Sequence, residues 1–303
     1  MSGSLFCFGY GYTCDHLGHD LLMRGTWRIS GTTRDKQKRD VLRQQGIKAH
    51  IFDYATPLSD TPEFLKDVTH ILISTPPDDL GDPAFLMHAD DIAEMQNLKW
   101  IGYLSTTGVY GDRQGGWVNE TSAPRPTSKR GSRRLKAEQQ WQTLAAAYDL
   151  PLHIFRLSGI YGPERSAIDS VRAGVARRID KPGHAFSRIH IDDIVQVLIA
   201  SMENPKPGSI YNLCDDEAAP SHEVIAYACK LLGRTPPPLI PYEEADLAPI
   251  ACSFYADNKR VENTKIKEDL GISLKYPNHR LGLDACLSAE DTNIFRQKSC
   301  LQG

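Results

Sequence analysis

The chain has 303 residues, of which 41% are apolar, enough for one large domain or two closely joined ones. Its formal net charge of −3 argues against nucleic acid or an anionic membrane as a partner. The 7 cysteines form no Cys-x-x-Cys pair, which argues against a zinc site and a disulfide framework. The sequence has no long apolar segment or signal-peptide pattern, so we expect a cytoplasmic protein.

Apolar runs alternate with amphipathic stretches over the first two hundred residues. The predicted strands cover 5–8, 27–32, 48–52, 69–74, 100–105, 152–157 and 209–213. The predicted helices cover 13–24, 35–45, 83–97 and 130–148, with a short one near 63–65. Strands that are apolar on both faces and separated by helices indicate an α/β fold, a doubly wound parallel sheet of the Rossmann type.

The pattern becomes less regular after residue 160, where helices and a proline run predominate. This composition indicates a smaller, mostly helical lobe that would carry the substrate contacts. We therefore predict a cofactor-binding Rossmann domain over 1–158 and 189–213. The substrate lobe would comprise 159–188 and 214–303.

A glycine turn follows the first predicted strand and opens the first predicted helix. Gly9 permits a tight turn, and Gly11 lets the backbone approach an anion without a Cβ in the way. Tyr12 and Thr13 begin the helix, whose unpaired amides would face a cofactor diphosphate. The usual third glycine is Cys14 here, so a plain turn in another kind of α/β protein remains an alternative.

The end of the second strand bears on which nicotinamide cofactor is bound. NAD-binding proteins place an acid there for the ribose 2′-hydroxyl, whereas NADP-binding proteins place an arginine near the 2′-phosphate. Here Thr33 is neutral and Arg34 occupies the basic position, so we predict NADP(H) in preference to NAD(H), which stays possible. Asp35 follows and fits better as the start of the next helix.

Polar residues also end the next three strands, where ligands of such sheets bind. Asp53 is either an adenine contact or an ordinary turn residue. Thr75 and Pro76 are predicted to line the diphosphate and ribose, and Ser105 is a further cofactor-binding candidate.

The segment 190–193, His-Ile-Asp-Asp, combines possible metal ligands. We nevertheless predict no metal site, because no second histidine lies at ligand spacing. Asp192 is better interpreted as the N-cap of the following helix.

With these pieces placed, the chain resembles the extended and atypical short-chain dehydrogenase/reductases, the superfamily that includes nucleotide-sugar epimerases and dehydratases. The resemblance runs from residue 4 to about 285. The segments that carry it are 9–11, 104–111, 156–163, 188–193 and 211–216. Segments 258–261, 270–271 and 276–277 look like the atypical branch.

The resemblance implies hydride transfer to or from a nicotinamide, with a Ser or Thr that holds the substrate oxygen. Thr106 matches that position. The resemblance also implies a Tyr-x-x-x-Lys pair for proton transfer, but Arg130 and Arg134 stand at those two places. An arginine stays protonated at neutral pH and cannot serve as an ordinary acid or base.

Several roles are open for the arginines and for the missing acid. Arg134 could hold the nicotinamide ribose or a substrate carboxylate or phosphate. It could equally belong, with Arg130 and Arg133, to a solvated helix face. Tyr110 and Tyr161 are the nearest candidates in sequence for the proton donor, although packing is the more common role of such a tyrosine.

These observations together predict an NADP(H)-dependent oxidoreductase, or an epimerase/dehydratase-like enzyme, with a small polar substrate such as a sugar derivative. The alternative is a non-catalytic NADP(H)-binding sensor or regulatory protein. Both a monomer and a homodimer are compatible with the sequence, the latter through helices 83–97 and 130–148.

Overall fold

The structure is a computed structural model that describes residues 2–58 and 61–300. Over these residues the strands are β1 (Gly3–Phe8), β2 (Trp27–Thr33), β3 (Lys48–Ile51), β4 (His70–Ile73), β5 (Trp100–Thr106), β6 (Trp117–Val118), β7 (Leu152–Leu157), β8 (Gly159–Tyr161), β9 (Arg178–Asp180), β10 (Arg188–His190), β11 (Ile210–Leu213), β12 (Leu239–Pro241) and β13 (Arg260–Val261). The helices are α1 (Tyr12–Met23), α2 (Lys36–Gln44), α3 (Thr61–Leu65), α4 (Pro83–Ala93), α5 (Lys129–Tyr148), α6 (Ala167–Arg172), α7 (Ile191–Glu203), α8 (Ser221–Leu231), α9 (Pro249–Ala256), α10 (Thr264–Leu270) and α11 (His279–Cys300). None of these helices is long and apolar enough to cross a membrane.

Seven described strands form one parallel sheet in the order β11-β7-β5-β4-β1-β2-β3. Successive side chains of β1 enter different cores: Leu5 and Cys7 pack on the face that α1 and α7 cover, and Phe6 and Phe8 on the opposite face. Both faces are therefore buried under helices, and the predicted doubly wound Rossmann-like sheet is confirmed.

The second half of the chain adds smaller units around the carboxyl end of the sheet. β10 pairs with β8 outside the main sheet, and α6, α8 and α11 enclose a third core that includes Ile168, Val224 and Leu283. β11 returns to the main sheet beside β7, as its apolar sequence predicts. The division into two lobes stays a prediction, with β10 lying outside the sheet to which the predicted domain boundary assigns it.

Candidate functional site

The glycine turn forms a cradle at the carboxyl end of β1. Gly9 has φ +84°, and a Cβ there would come within 3.0 Å of the Thr75 backbone nitrogen, so only glycine fits without strain. Gly11 has φ −98°, and a Cβ on it would meet no protein atom within 4 Å. Gly11 is also the N-cap of α1 and supplies no side chain to the first-turn amides. The open space beside these amides fits a diphosphate.

Cys14 preserves the packing that the third glycine usually provides. Its side chain is fully buried, and its Sγ donates a hydrogen bond to the Gly9 carbonyl oxygen at 3.3 Å. The thiol thus stabilises the turn. Thr13 is buried next to it in the same first turn of the helix. The substitution at the third position is therefore compatible with an intact cradle.

Tyr12 joins the cradle to the second half of the chain. Its hydroxyl donates a hydrogen bond to the Pro163 carbonyl oxygen at 2.8 Å, and the Arg165 guanidinium lies 5.5 Å from its ring centroid. The loop after β8 is therefore held against the first turn of α1. This contact places Arg165 beside the cradle.

Two charged residues follow the end of β2, and the choice of cofactor depends on their different surroundings. Asp35 is the N-cap of α2, as the sequence predicts, and its carboxylate accepts a hydrogen bond from the Lys38 backbone at 2.9 Å. The Thr33 hydroxyl accepts another from the Asp35 backbone. Arg34 is exposed and makes no hydrogen bond or ion pair with another described residue.

Asp53 and Thr75 lie in loops at the same edge of the sheet. The Asp53 carboxylate accepts a hydrogen bond from the Ala55 backbone at 2.9 Å and so stabilises its own turn. Thr75 donates a long hydrogen bond, 3.5 Å, to the buried Asp82, while Pro76 is exposed. Of these residues, Thr75 also lies directly against Gly9 of the cradle.

Thr106 and Ser105 end β5 but face different surroundings. Thr106 is half-buried, and its Oγ1 accepts a hydrogen bond from Gly108 at 3.1 Å, which leaves its hydroxyl proton available. Ser105 is buried and donates to the buried carboxylate of Glu138. This bond turns the Ser105 hydroxyl into the core, and the role of Ser105 as a cofactor ligand stays a prediction.

Tyr110 is a structural residue of the same buried network. Its hydroxyl donates to Asn212 Oδ1 at 2.7 Å and accepts from Arg156 Nη1 at 3.0 Å, and its side chain is fully buried. Arg156 in turn forms an ion pair with Glu138 at 2.7 Å. Burial raises the pKa of Tyr110, which also disfavours proton release. These contacts favour a structural role for Tyr110, and its catalytic role stays a prediction.

The two arginines that replace the Tyr and the Lys differ in their surroundings. Arg134 is buried, donates to the Leu104 carbonyl oxygen at 2.6 Å and lies over the Tyr103 ring, so it does not belong to a solvated helix face. Arg130, one turn earlier, is exposed and lies 6.0 Å from the Phe254 ring. Partial desolvation, with the positive charges of Arg134 and Arg165, lowers the pKa of Arg130. Three cations therefore gather between the cradle and the end of β5.

The match of residues 9–214 to the model of the NAD dependent epimerase/dehydratase family covers more than half of the chain. The chain belongs to this family. The predicted resemblance is thereby confirmed. The matched range begins at Gly9, the first glycine of the cradle.

Individual relatives span nearly the whole chain. Protein YeeZ of Escherichia coli K12 is 26% identical over 285 residues, 89% of this chain and 95% of YeeZ. A solved structure of a functionally unknown conserved protein from Silicibacter pomeroyi is 49% identical, with a TM-score of 0.87, and covers 95% of this chain and 99% of that one. UDP-glucuronic acid 4-epimerase from Bacillus cereus, solved with UDP-glucuronic acid and NAD, is 17% identical with a TM-score of 0.76 over 93% of this chain and 97% of that one. At that identity it shows a shared fold.

Two cavities differ in their position relative to the strand ends. A cavity of about 320 Å³ is lined by Leu152 and Ser209 among others, at the amino ends of β7 and β11, away from the cradle. One of about 150 Å³ lies in the helical part and is lined by Arg165 and Arg188 among others. Arg165 was not predicted from the sequence, although it stands two residues after a Gly-Pro pair that the resemblance includes.

His190, not Asp192, is the N-cap of α7, and its Nδ1 accepts a hydrogen bond from the Asp192 backbone at 3.2 Å. The prediction for Asp192 was therefore wrong. Desolvation lowers the pKa of His190 to about 4, so its ring is neutral near pH 7 and can accept this bond.

Proposed function

We propose that this protein is an NAD(P)(H)-dependent oxidoreductase that acts on a small polar substrate. The observation that carries the proposal is the open space at Gly11, directly at the N-terminus of α1 and next to a turn that only glycine permits. Such a site suits the diphosphate of a dinucleotide. The family match supports the same cofactor class. When bound, the nicotinamide supplies or accepts the hydride.

The chain's own residues would orient the substrate and stabilise its charge. Thr106 would donate a hydrogen bond to the substrate oxygen, because its hydroxyl proton is not used within the described structure. Arg130 would stabilise negative charge that develops on that oxygen. Since an arginine keeps its proton at neutral pH, the proton itself would come from water. Arg134 would position the end of β5 through its bond to Leu104.

A preference for NADP(H) is supported by the contrast between Arg34 and Asp35. Arg34 is exposed and without a described partner, whereas the carboxylate of Asp35 is used to cap α2. The guanidinium is therefore available to a 2′-phosphate. We expect Arg34→Ala to weaken NADPH binding by about ten- to a hundredfold and to leave NADH binding unchanged. Equal losses for both cofactors would contradict the preference.

The reaction itself is tested by following the hydride. The protein would be incubated with carbonyl compounds and NADPH or NADH carrying deuterium on one face of C4, and the products would be analysed by mass spectrometry. Stereospecific transfer of deuterium to a product, lost in Thr106→Val, would support the oxidoreductase. A protein that binds the cofactor but transfers deuterium to no carbonyl in the screen would contradict it.

A non-catalytic cofactor-binding protein is the second candidate. The burial of Ser105 and Tyr110, together with arginine at both positions of the proton-transfer pair, favours it. Such a protein would bind the cofactor with the same dependence on Arg34 yet show no transfer. The deuterium experiment therefore separates the two candidates.

A further inference from the structure

The cavity of about 150 Å³ in the helical part has a lining of two chemical kinds. Polar and cationic residues form what we call the cationic wall, and aliphatic side chains from α8 and α11 form the apolar wall. The lining residues are Tyr161, Arg165, Ser166, Ala167, Arg188, Ser221, Val224, Ile225, His279 and Leu283. None of them is an acid.

Arg188 is held in a fixed orientation on the cationic wall. Its Nη1 donates to the carbonyl oxygens of Phe186 at 2.9 Å and Ala219 at 2.8 Å, and the guanidinium lines the cavity. Two carbonyl contacts on one nitrogen leave the remaining N–H donors of the fork for a ligand. A pre-oriented arginine recognises a carboxylate or phosphate with little loss of side-chain freedom.

The charge around the cavity is positive near neutral pH. Arg165 is the second cation, and His279 is uncharged because burial lowers its pKa to about 4. Asp215 lies near Arg188 with both carboxylate oxygens buried and unbonded, and burial raises its pKa to about 8. Asp215 is thus mostly protonated at pH 7 and does not neutralise Arg188.

The apolar wall is well buried. Val224 is 6% exposed and Leu283 is 1% exposed, and both belong to the third core. A hydrocarbon portion of a ligand would gain about 0.8 kcal/mol for each CH₂ that it buries there. A bare inorganic anion would leave this wall uncovered.

We propose that this cavity binds a small organic acid, with its anionic group on Arg165 and Arg188 and its hydrocarbon part against Val224 and Leu283. Arg165 also lies over the Tyr12 ring at the cradle, so the cavity adjoins the cofactor site. The inference names the substrate class of the proposed oxidoreductase and rests on that function.

The probes are acetate, hexanoate and inorganic phosphate, titrated by calorimetry into the full-length protein saturated with NADPH. Cofactor binding is measured first in the same samples, so its failure is detected separately. We expect hexanoate to bind more tightly than acetate or phosphate. Arg188→Met and Ala167→Leu should each weaken hexanoate binding by about tenfold or more. Ala167→Leu fills the cavity without removing a charge, and it covers the case in which Arg188→Met does not fold.

Arg24→Met is the matched control, because Arg24 pairs with Asp20 and Glu203 far from the cavity. It should leave hexanoate binding unchanged. Three results would overturn the assignment: no binding of hexanoate at its solubility limit, equal affinities for hexanoate and phosphate, or full hexanoate binding in folded Ala167→Leu. If NADPH itself does not bind, the proposed function fails instead.

Discussion

The cradle after β1 and the proposed reaction centre after β5 lie at the carboxyl ends of two strands of one sheet, and they are built in different ways. The cradle uses backbone: Gly9 and Gly11 provide the conformation and the space, and Cys14 replaces a third glycine with a hydrogen bond to the turn. The proposed reaction centre depends on side chains, and Arg130 and Arg134 stand where the Tyr and the Lys of the proton-transfer pair are expected. A site built from backbone thus keeps its shape when one small residue replaces another. A site for proton transfer, in contrast, depends on the chemistry of each side chain.

The largest effect is expected below the reaction centre, in the buried pair of Glu138 and Arg156. Glu138→Gln leaves the Arg156 charge uncompensated in the core, so the free energy of unfolding should fall by about 3–5 kcal/mol in urea denaturation. Asp79→Asn is the control, because Asp79 is an exposed partner of Lys129 and Arg133. Similar losses in both variants would show that the Glu138 pair has no special role.

Tyr110→Phe tests whether the hydroxyl of Tyr110, near the end of β5, has a structural or a catalytic role. The change removes a hydroxyl that Asn212 and Arg156 both contact, so we expect a loss of about 1–3 kcal/mol in the free energy of unfolding. Deuterium transfer per folded molecule should stay as in the wild type, since Tyr110 is fully buried. Loss of transfer with unchanged stability would restore Tyr110 as the acid.

Asp215 predicts a smaller effect that depends on pH. Its pKa is raised to about 8 in the folded state, so folding favours its protonated form. The stability it contributes is complete below the unfolded pKa, near 4, and is lost as the pH rises to about 8, by up to about 1.4 kcal/mol per pH unit. Asp215→Asn removes this titratable carboxyl group. The free energy of unfolding of the variant should therefore decline less than that of the wild type between pH 6.5 and 8.

Chemical denaturation at several pH values measures this difference. The buried histidines His70 and His153, whose pKa values burial lowers to about 4, act in the opposite direction and only below about pH 6.5. Parallel pH profiles for the variant and the wild type would contradict the shifted pKa of Asp215.

The sequence could predict the sheet because each strand is a local apolar run between glycine, proline or polar residues. It could also predict the cap at Asp35, because the capping carboxylate accepts a hydrogen bond from a backbone amide only three residues later in the chain. The roles of Tyr110 and Ser105 could not be predicted, because their partners Asn212 and Glu138 lie 102 and 33 residues away. The burial of Arg134 likewise depends on its contacts with Tyr103 and Leu104 of β5, and the residue pattern of α5 alone does not reveal these contacts.

The most direct test of the cofactor cradle is a calorimetric titration of the wild type and Gly11→Val with NADPH and NADH. A Cβ at Gly11 would meet no protein atom within 4 Å, and the backbone there is extended, so the variant should still fold like the wild type. It would, however, occupy the space assigned to the diphosphate. We predict that the wild type binds NADPH and that Gly11→Val binds it at least about a hundredfold more weakly. Equal binding by both proteins, or no binding by the wild type, would contradict the cradle.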